Sequence, residues 1–358
     1  MVTLKEIASK CNVSATTVSN ILNGKPKVSE KTKEAVMKVV REMGYQPDYV
    51  AQGLRRKKTC TIGIIAEDIA QFTTPSMVES IMEYCEEKGY RTVVQNLRLY
   101  GRWQDQWVYQ EEEYEKVLTP ALMELCSVKV DGIIYLAGHA RVIRSISDDF
   151  SIPVVISYAY TKSPRIPSVV IDDTNSSYEV ASYLVSMGHK RIGVVAGKQD
   201  NIHTHLRLLG YQKALFDADI LYDPALVRFG DWQRPSGYEQ AKCLVEQNVS
   251  AIFCMADRMA GGVYDYLEEQ GIKVGEDISV VGFDNQDIAE YFSPALTTTA
   301  LPLSEIGRTS AKLLLERLEE NEENKENDRN EWKQENDQIL EVMIPCKFIE
   351  RKSVKKLN

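Results

Sequence analysis

The stretch VTLKEIASKCNVSATTVSNILNGKPKVSEKTKEAVMKVVREMGYQPDYVAQGLRRKKTCTIGII, residues 2 to 65, passes from one chemistry into another. Apolar residues recur in it at helical spacing in three short segments. These are Leu4, Ile7, Ala8 and Cys11, then Val18, Ile21 and Leu22, then Val36, Val39, Val40 and Met43, with small, hydroxylic or basic residues between them. The spacing predicts helices over 3–11, 14–23 and 29–43. Thr3 followed by Glu6 is a capping box, Ser14 and Ser29 are good N-caps, and Gly24 and Gly44 stand where a left-handed residue ends a helix. Only Cys11 to Val13 separates the first two helices, so they cross tightly and the second projects, with Ala15, Thr16, Ser19, Asn20 and Asn23 outward. This is a helix-turn-helix pattern.

Charge follows the same division. Residues 1–58 hold twelve Lys or Arg against five Asp or Glu, a net +7, whereas the rest of the 358-residue chain holds 31 against 47, a net −16. A chain of net charge −9 has thus concentrated its positive field at one end, which points to nucleic acid as that end's partner. A solvated helical cap is the alternative for any basic amphipathic stretch, but here helix spacing and charge step coincide.

The quoted stretch closely resembles the headpiece, hinge and first core strand of the lactose-repressor/galactose-repressor family, and the resemblance continues through most of the chain. In that family the second helix enters the major groove of a pseudo-palindromic operator, which implies that Ala15, Thr16 and Asn20 read bases. Many members carry Arg or His where this chain has Asn20. An Asn can contact adenine through two hydrogen bonds and Ala15 can offer a methyl contact to thymine, so the half-site is expected to differ from the lactose one. Ser14, Thr17, Ser19, Asn23, Ser29 and Tyr45 match positions used for phosphate contacts. Residues 48–57, DYVAQGLRRK, match the hinge helix, with Leu54 in the place of the apolar wedge that enters the minor groove. Such a helix is too short to be stable alone, and Gly53 weakens it, so folding on binding is expected. The domain expectation is a headpiece over 1–47, a hinge over 48–58 and an effector-binding and dimerisation core over 59–358.

The core is longer than one hydrophobic core usually supports, so two lobes are expected. Short β-rich runs alternate with helical ones. TIGIIA (61–66), RTVVQN (91–96), DGIIYLA (131–137), PVVISY (153–158) and SVVID (168–172) suggest one parallel sheet; RIGVVAG (191–197), ALVRFG (225–230), AIFCM (251–255) and ISVVGF (278–283) suggest another, with a helix over 178–187. The fold class expected is an all-α helix-turn-helix headpiece plus an α/β core of two doubly wound parallel-sheet lobes, like a periplasmic binding protein. The lobes are placed at about 61–160 with 291–318, and about 161–290 with 339–350. Residues 319–338, with nine acids and three bases and no apolar periodicity, read as a disordered acidic insertion before the run ILEVMI.

Open parallel sheets bind ligands beyond the carboxyl ends of their strands. That rule alone selects Glu67 to Thr74, Arg98, Ala137 to His139, Tyr158, Asp172, Asp231 with Trp232, Asp257 and Asp284. The set holds an aromatic plate, carboxylates and a cation, which suits a polyol. HLRLLGY (205–211), GDWQRPSGY (230–238), MADRMAGGVYDYL (255–267), VGEDISVVGFDN (274–285) and LTTTALPLSEIG (296–307) resemble the family's effector-domain motifs. The resemblance implies effector contacts from Arg207, Trp232 and Asp257, with Phe72 and Thr74 facing them, while Asp284 reads as a structural turn acid. Core packing is the alternative for Trp232 and Leu54. Between Asn96 and Asp131 the chain is longer than the family pattern and carries Tyr100, Trp103, Trp107, Tyr109 and Tyr114, which either roof the pocket or lie on the surface.

Seven scattered cysteines without CxxC pairing read as reduced buried thiols, and neither a metal nor another cofactor is expected. No apolar run approaches membrane-spanning length, the N-terminus lacks a signal peptide's hydrophobic region, and the C-terminus lacks leucine heptads, so a cytoplasmic homodimer is expected rather than a tetramer. No nucleophile elbow, Walker loop or HExxH is present, and His139, His189, His203 and His205 read as ordinary surface or structural contacts, so an enzyme is not expected. The reading reached is a transcriptional repressor controlled allosterically by a small carbohydrate-like effector. A carbon-catabolite regulator with a protein co-repressor and a sugar receptor without DNA are the alternatives.

Overall fold

The computed structural model describes residues 2–22, 28–45, 58–104, 111–147, 150–326 and 340–357. They fall into two compact units, Met1–Thr59 and Cys60–Asn358. The expected hinge residues 48–57, including Leu54, lie outside the described residues, as do Asn23, Gly24, Trp107 and Tyr109.

In the first unit, helices α1 (Leu4–Lys10), α2 (Ala15–Leu22) and α3 (Glu30–Glu42) close on Ile7, Ala8, Val18, Ile21, Val36 and Val40. Their ends follow from the caps. Thr3 and Glu6 complete a reciprocal capping box, the Thr17 amide donates to Ser14 Oγ at 2.9 Å, and Ser29 accepts from the Thr32 amide. Asn12 takes a left-handed φ of 52° in the turn between α1 and α2, and Gly44 takes 60° after α3.

The second unit contains a parallel sheet in the order β13 (Glu341–Ile344), β7 (Ser168–Ile171), β5 (Val154–Ser157), β3 (Gly132–Leu136), β1 (Thr61–Ala66) and β2 (Arg91–Asn96), another in the order β11 (Ser279–Val281), β10 (Ala251–Cys254), β8 (Ile192–Ala196) and β9 (Val227–Phe229), and a short parallel pair of β4 (Val142–Ile143) and β6 (Tyr160–Thr161). In the first sheet, β1 (Thr61–Ala66), β3 (Gly132–Leu136) and β5 (Val154–Ser157) are completely buried, as all-apolar runs demand of strands covered on both faces; β2 (Arg91–Asn96) forms its edge. Helices α4 (Thr74–Glu87) and α12 (Leu303–Glu326) pack on each other over one face, through Met77, Ile81, Ile306 and Leu314. Helix α6 (Glu111–Ser127), which follows the short α5 (Leu99–Trp103), buries Leu118, Leu122 and Leu125 in the cluster on Ile133 and Ile156.

The second sheet consists of β8 (Ile192–Ala196), β9 (Val227–Phe229), β10 (Ala251–Cys254) and β11 (Ser279–Val281). Its helices pack in pairs, α7 (Asp173–Ser186) on α8 (Ile202–Asp217) and α9 (Arg234–Glu246) on α10 (Asp257–Glu269). The second pair crosses at glycine, since a Cβ on Gly262 would come within 1.9 Å of the Arg234 carbonyl oxygen.

Three chain passages join the two sheets. The first runs from β7 (Ser168–Ile171) through α7 to β8. The second leaves β11, passes the short α11 (Ile288–Tyr291) and β12 (Thr298–Ala300), and enters α12. The third leaves β13 (Glu341–Ile344) for β14 (Lys347–Ile349), which pairs antiparallel with β12, and for a tail in which the Val280 amide donates to the Ser353 carbonyl at 2.9 Å.

Four expectations need correction. Ser168–Ile171 lies in the first sheet, as its grouping with 61–158 predicts, so the lobe boundary expected near 160 falls too early; Glu341–Ile344, expected in the second lobe, pairs with it in register, Val342 beside Val169 and Met343 beside Val170. The reason is that α12 covers the first sheet, so the strand after it returns there as a crossover requires. The helix expected over 178–187 starts at Asp173, because Asp172 caps it by accepting from the Asn175 amide. In ALVRFG, Pro224–Leu226 forms a 3-10 turn capped by Asp223, and only Val227–Phe229 is strand. Finally, the acidic segment begins inside α12, which runs to Glu326, while residues 327–338 lie outside the described residues. Of the seven free thiols, only Cys85 and Cys254 are buried and the other five are half-buried.

Candidate nucleic-acid surface and ligand cleft

The amino-terminal surface rests on α2. Thr16 is exposed, Asn20 is half-buried, and Ala15 is half-buried with its methyl against the headpiece core. A helix held at its start by Ser14 and on its inner face by Val18 and Ile21 presents these residues on a fixed lattice. The expected phosphate contacts are partly committed already. Ser14 Oγ and Thr17 Oγ1 are 2.8 Å apart, Ser29 Oγ and Thr32 Oγ1 are 2.9 Å apart, and Tyr45 packs against the helix cluster. In each pair one hydroxyl spends its only proton on the other, and the second keeps its proton to donate to a phosphate oxygen.

In the second unit a cavity of about 580 Å³ opens at the carboxyl ends of the strands. Its wall takes Phe72, Ser76 and Ser304 from the first lobe and Arg258, Asp284 and Gln286 from the second. Phe72 precedes α4, is 38% exposed, and lies 5.9 Å by ring centroid from the Arg258 guanidinium. Gln286 ties the opposite wall together: its amide nitrogen Nε2 donates to Asp284 at 3.2 Å, its Oε1 accepts from Arg258 Nε at 3.2 Å, and its backbone N–H donates to Asp257 at 2.8 Å.

Of the five expected effector contacts, only Phe72 belongs to that wall. Asp257 is 0% exposed, and both its oxygens are taken, one by the Gln286 amide and the other by the Thr298 hydroxyl at 2.6 Å. It therefore holds the loop 284–287 in place, and the carboxylate that lines the cavity is that of Asp284. Asp284 keeps its turn, with φ 112° and its N–H on the Thr299 carbonyl at 2.8 Å, and also lines the cavity. Burial, and after it repulsion from Asp284, pushes the Asp257 carboxyl up to about 8. Burial likewise pushes Asp284 up to about 7, against the pull of Arg207.

Arg207 is 2% exposed and structural as well as central. Its Nε donates to Asp173 at 2.7 Å, its Nη1 donates to the Met255 carbonyl at 2.6 Å, and its guanidinium lies 3.7 Å from the Phe283 ring centroid. Burial works against its charge, but Asp173 and Asp284 outweigh it and hold its pKa above the usual value. Asp173 is the matching case: burial opposes its ionisation, yet His203 and Arg207 hold it below the usual carboxylate range. Trp232 is half-buried at φ 73° and lies 5.9 Å from Arg207. Its ring occupies the space over Gly197, where a Cβ would come within 2.0 Å, so glycine at the end of β8 is what admits the indole. Thr74 is fully buried on the first turn of α4, and its Oγ1 has no partner in the protein.

Sequence reasoning missed Asp173, His203 and Arg258. Asp172 was selected by its place after β7, but the carboxylate that holds Arg207 and His203 is its neighbour Asp173; the signal was the acidic pair itself at a strand end. The aromatic excess divides. Tyr114 is buried, donating to Tyr135 Oη at 2.7 Å, which in turn donates to Glu67 at 2.6 Å, and Trp103 packs against the same cluster. Tyr100 is exposed.

Residues 3–48 match the family described as bacterial regulatory proteins, lacI family, and residues 181–354 match a periplasmic binding protein-like domain. The chain is 31% identical over 320 residues to the HTH-type transcriptional repressor CytR of Escherichia coli K12, covering 88% of this chain and 90% of that one. It is 31% identical over 362 residues to the HTH-type transcriptional repressor PurR of Vibrio atlanticus, covering both in full. Among solved structures it resembles the lac repressor dimer bound to operator and the anti-inducer ONPF, with a TM-score of 0.74 and 25% identity over 99% of each chain.

Proposed function

Because the chain belongs to the lacI family of bacterial regulatory proteins, as a DNA-binding transcriptional repressor controlled by a small-molecule effector, we propose that its effector is a neutral, carbohydrate-like molecule bound in the cleft between the two lobes of the core. The observation that carries this reading is the two-sided wall of the 580 Å³ cavity. A ligand filling it touches Phe72 and Ser304 on one side and Arg258, Asp284 and Gln286 on the other, so its binding free energy depends on how far apart the lobes stand. The Phe72 ring beside a carboxylate and an amide suits a ring with hydroxyls on its edge.

Ala15, Thr16 and Asn20 read bases in a pseudo-palindromic operator, with Ser14, Thr17, Ser19, Asn23, Ser29 and Tyr45 on phosphates and Leu54 in the minor groove. The protein acts in the cytoplasm as a homodimer, residues 1–47 forming the headpiece and 48–58 the hinge. Support for the dimer and the operator is the resemblance to the lac repressor dimer on its operator.

The test is thermal unfolding of the full-length protein with neutral sugars, sugar phosphates, nucleosides and purines. A neutral sugar is expected to raise Tm, and Phe72→Ala to abolish that rise. Stabilisation by charged ligands alone, or a rise unaffected by Phe72→Ala, contradicts the proposal.

A further inference from the structure

Phe72 reaches the cavity wall from the loop 67–73, which joins β1 to α4. Phe72 is 38% exposed, so the loop rather than packing sets where its ring stands. Side-chain oxygens hold that loop. Asp68 Oδ1 accepts from the Ala70 amide at 3.0 Å, and Asn96 Oδ1 accepts from the Ile69 amide at 3.2 Å. The second oxygen of Asp68 accepts from the Gly101 amide of α5 at 3.0 Å, which ties the loop to the segment whose length and aromatic content stand out in the sequence.

Glu67 anchors the near end of the loop and is buried. Its Oε1 accepts from the Tyr135 hydroxyl at 2.6 Å and forms an ion pair with Arg141, and its Oε2 accepts from the Gly138 amide at 2.7 Å. Tyr135 in turn accepts from the Tyr114 hydroxyl at 2.7 Å and from Arg141 Nη2 at 3.3 Å. The Arg141 guanidinium also lies 5.4 Å from the Tyr114 ring centroid. The end of β1, the strand β3, the helix α6 and the segment 138–141 thus meet on one carboxylate. Gly138 carries the position onward, because a Cβ on it would stand 3.6 Å from Glu67 Oε2 and 3.5 Å from Cγ of Gln71, the residue before Phe72. A buried ion pair is weak evidence for stability, since desolvation offsets the attraction. A hydrogen-bonded network of this extent makes its surroundings rigid.

From these contacts we infer that Glu67 is a positioning residue for effector recognition, holding the loop that presents Phe72 in its binding conformation before any ligand arrives. The inference rests on the cleft reading above and adds to it a residue that never touches the ligand. Tyr114, Tyr135 and Arg141 act through Glu67, which gives the buried part of the aromatic segment its task. A loop in the binding conformation for only a fraction of the time lowers the apparent affinity by that fraction, and an ordered wall spares the ligand the cost of ordering it.

Calorimetric titration of the full-length protein with D-ribose, D-glucose and cellobiose, together with amide hydrogen exchange of the free protein, tests it on wild type, Glu67→Met, Glu67→Gln and Phe72→Ala. Glu67→Met fills the same space without an acceptor. It is expected to lose at least tenfold in affinity for the sugar that binds wild type, and to exchange the Ile69 and Ala70 amides at least tenfold faster while those of β3 and β5 keep their rates. Glu67→Gln should recover part of both losses, since its carboxamide oxygen can still accept from Gly138, which a merely space-filling role would not predict. Weakened binding in Phe72→Ala with unchanged binding in Glu67→Met overturns the inference and leaves the cleft reading standing. Unchanged binding in both, or no binding of these sugars to wild type, overturns the cleft reading and the inference with it. Exchange accelerated equally in the loop and in β3, or equal losses in Glu67→Met and Glu67→Gln, also overturns the inference. Should Glu67→Met fail to fold, the double variant Glu67→Met/Arg141→Met, which leaves no buried charge without its partner, decides by the same two readouts.

Discussion

The headpiece and the effector core keep their chemistry in opposite places. In the headpiece the proposed readers Thr16 and Asn20 keep accessible surface on a helix fixed by its Ser14 cap, Ala15 packs its methyl on the core, and the buried residues are aliphatic. In the core, Arg207, Asp173 and His203 form a hydrogen-bonded chain buried inside the protein, while the polar residues that line the cavity, Arg258, Asp284, Gln286 and Ser304, keep accessible surface. A surface that reads a large charged partner can use exposed groups because the partner excludes water on docking. A site for a small neutral ligand needs groups already desolvated and aimed, and those must be held by other buried groups. Substitutions should therefore separate recognition from stability in the headpiece and mix the two in the core.

The largest expected effect tests the mixing. Asp173→Ala leaves the Arg207 guanidinium buried without its carboxylate, and removing one partner of a buried pair costs about 3–5 kcal/mol. Chemical denaturation should show the core destabilised by that amount. A loss below ~1 kcal/mol, the range of surface pairs, would mean the cluster is as solvated as the headpiece.

Next in size, Asn20→Ala should weaken binding to the cognate operator by about 1–3 kcal/mol while leaving random DNA unaffected, because base contacts carry specificity and phosphate contacts do not. Equal losses on both DNAs, measured by fluorescence anisotropy, would remove Asn20 from the readers. The headpiece melt should not move.

A third expectation concerns pH. Asp257 and Asp284 are both raised in the folded protein, to about 8 and about 7, from the ordinary carboxylate range. A raised carboxyl pKa favours folding most below the unfolded value and loses that contribution as pH rises through the folded one. Stability from this pair should accordingly be fully present near pH 4 and decline up to about pH 8, at no more than about 1.4 kcal/mol per unit for each group. Asp257→Asn should flatten that decline, and an unchanged slope in urea titrations across this window would show that the pair does not titrate there. The headpiece, whose Glu6 is lowered by its bonds to Thr3 and is exposed, contributes no such window.

The smallest effect is local. Ser29→Ala removes the cap of α3 and should cost about 1 kcal/mol of headpiece stability with no change in the core transition. A shift of the core melt by the same substitution would break the independence of the two regions.

The same contrast explains what was legible in the sequence. Capping boxes, helical spacing and a charge step are short-range facts, so α1 to α3 stand within two residues of their expected ends. The strands of both sheets were visible as apolar runs, but the return of Glu341–Ile344 to the first sheet depends on which face α12 covers, and no run of residues states that. In the cleft, strand ends marked Tyr158 and Asp284 as candidates. Whether a carboxylate there faces the cavity or the fold was decided by Thr298, some forty positions from Asp257 in sequence, and His203 passed as an ordinary histidine because its partner Asp173 is thirty residues away.

The most direct test is the operator affinity of full-length wild type and Phe72→Ala, with and without the neutral sugar that raises Tm most, on an operator selected from random-sequence DNA. The sugar is expected to change wild-type affinity by a coupling of about 1–3 kcal/mol, and Phe72→Ala to bind operator like wild type but to respond less than twofold. A Phe72→Ala protein that responds with the wild-type midpoint would contradict the cleft reading.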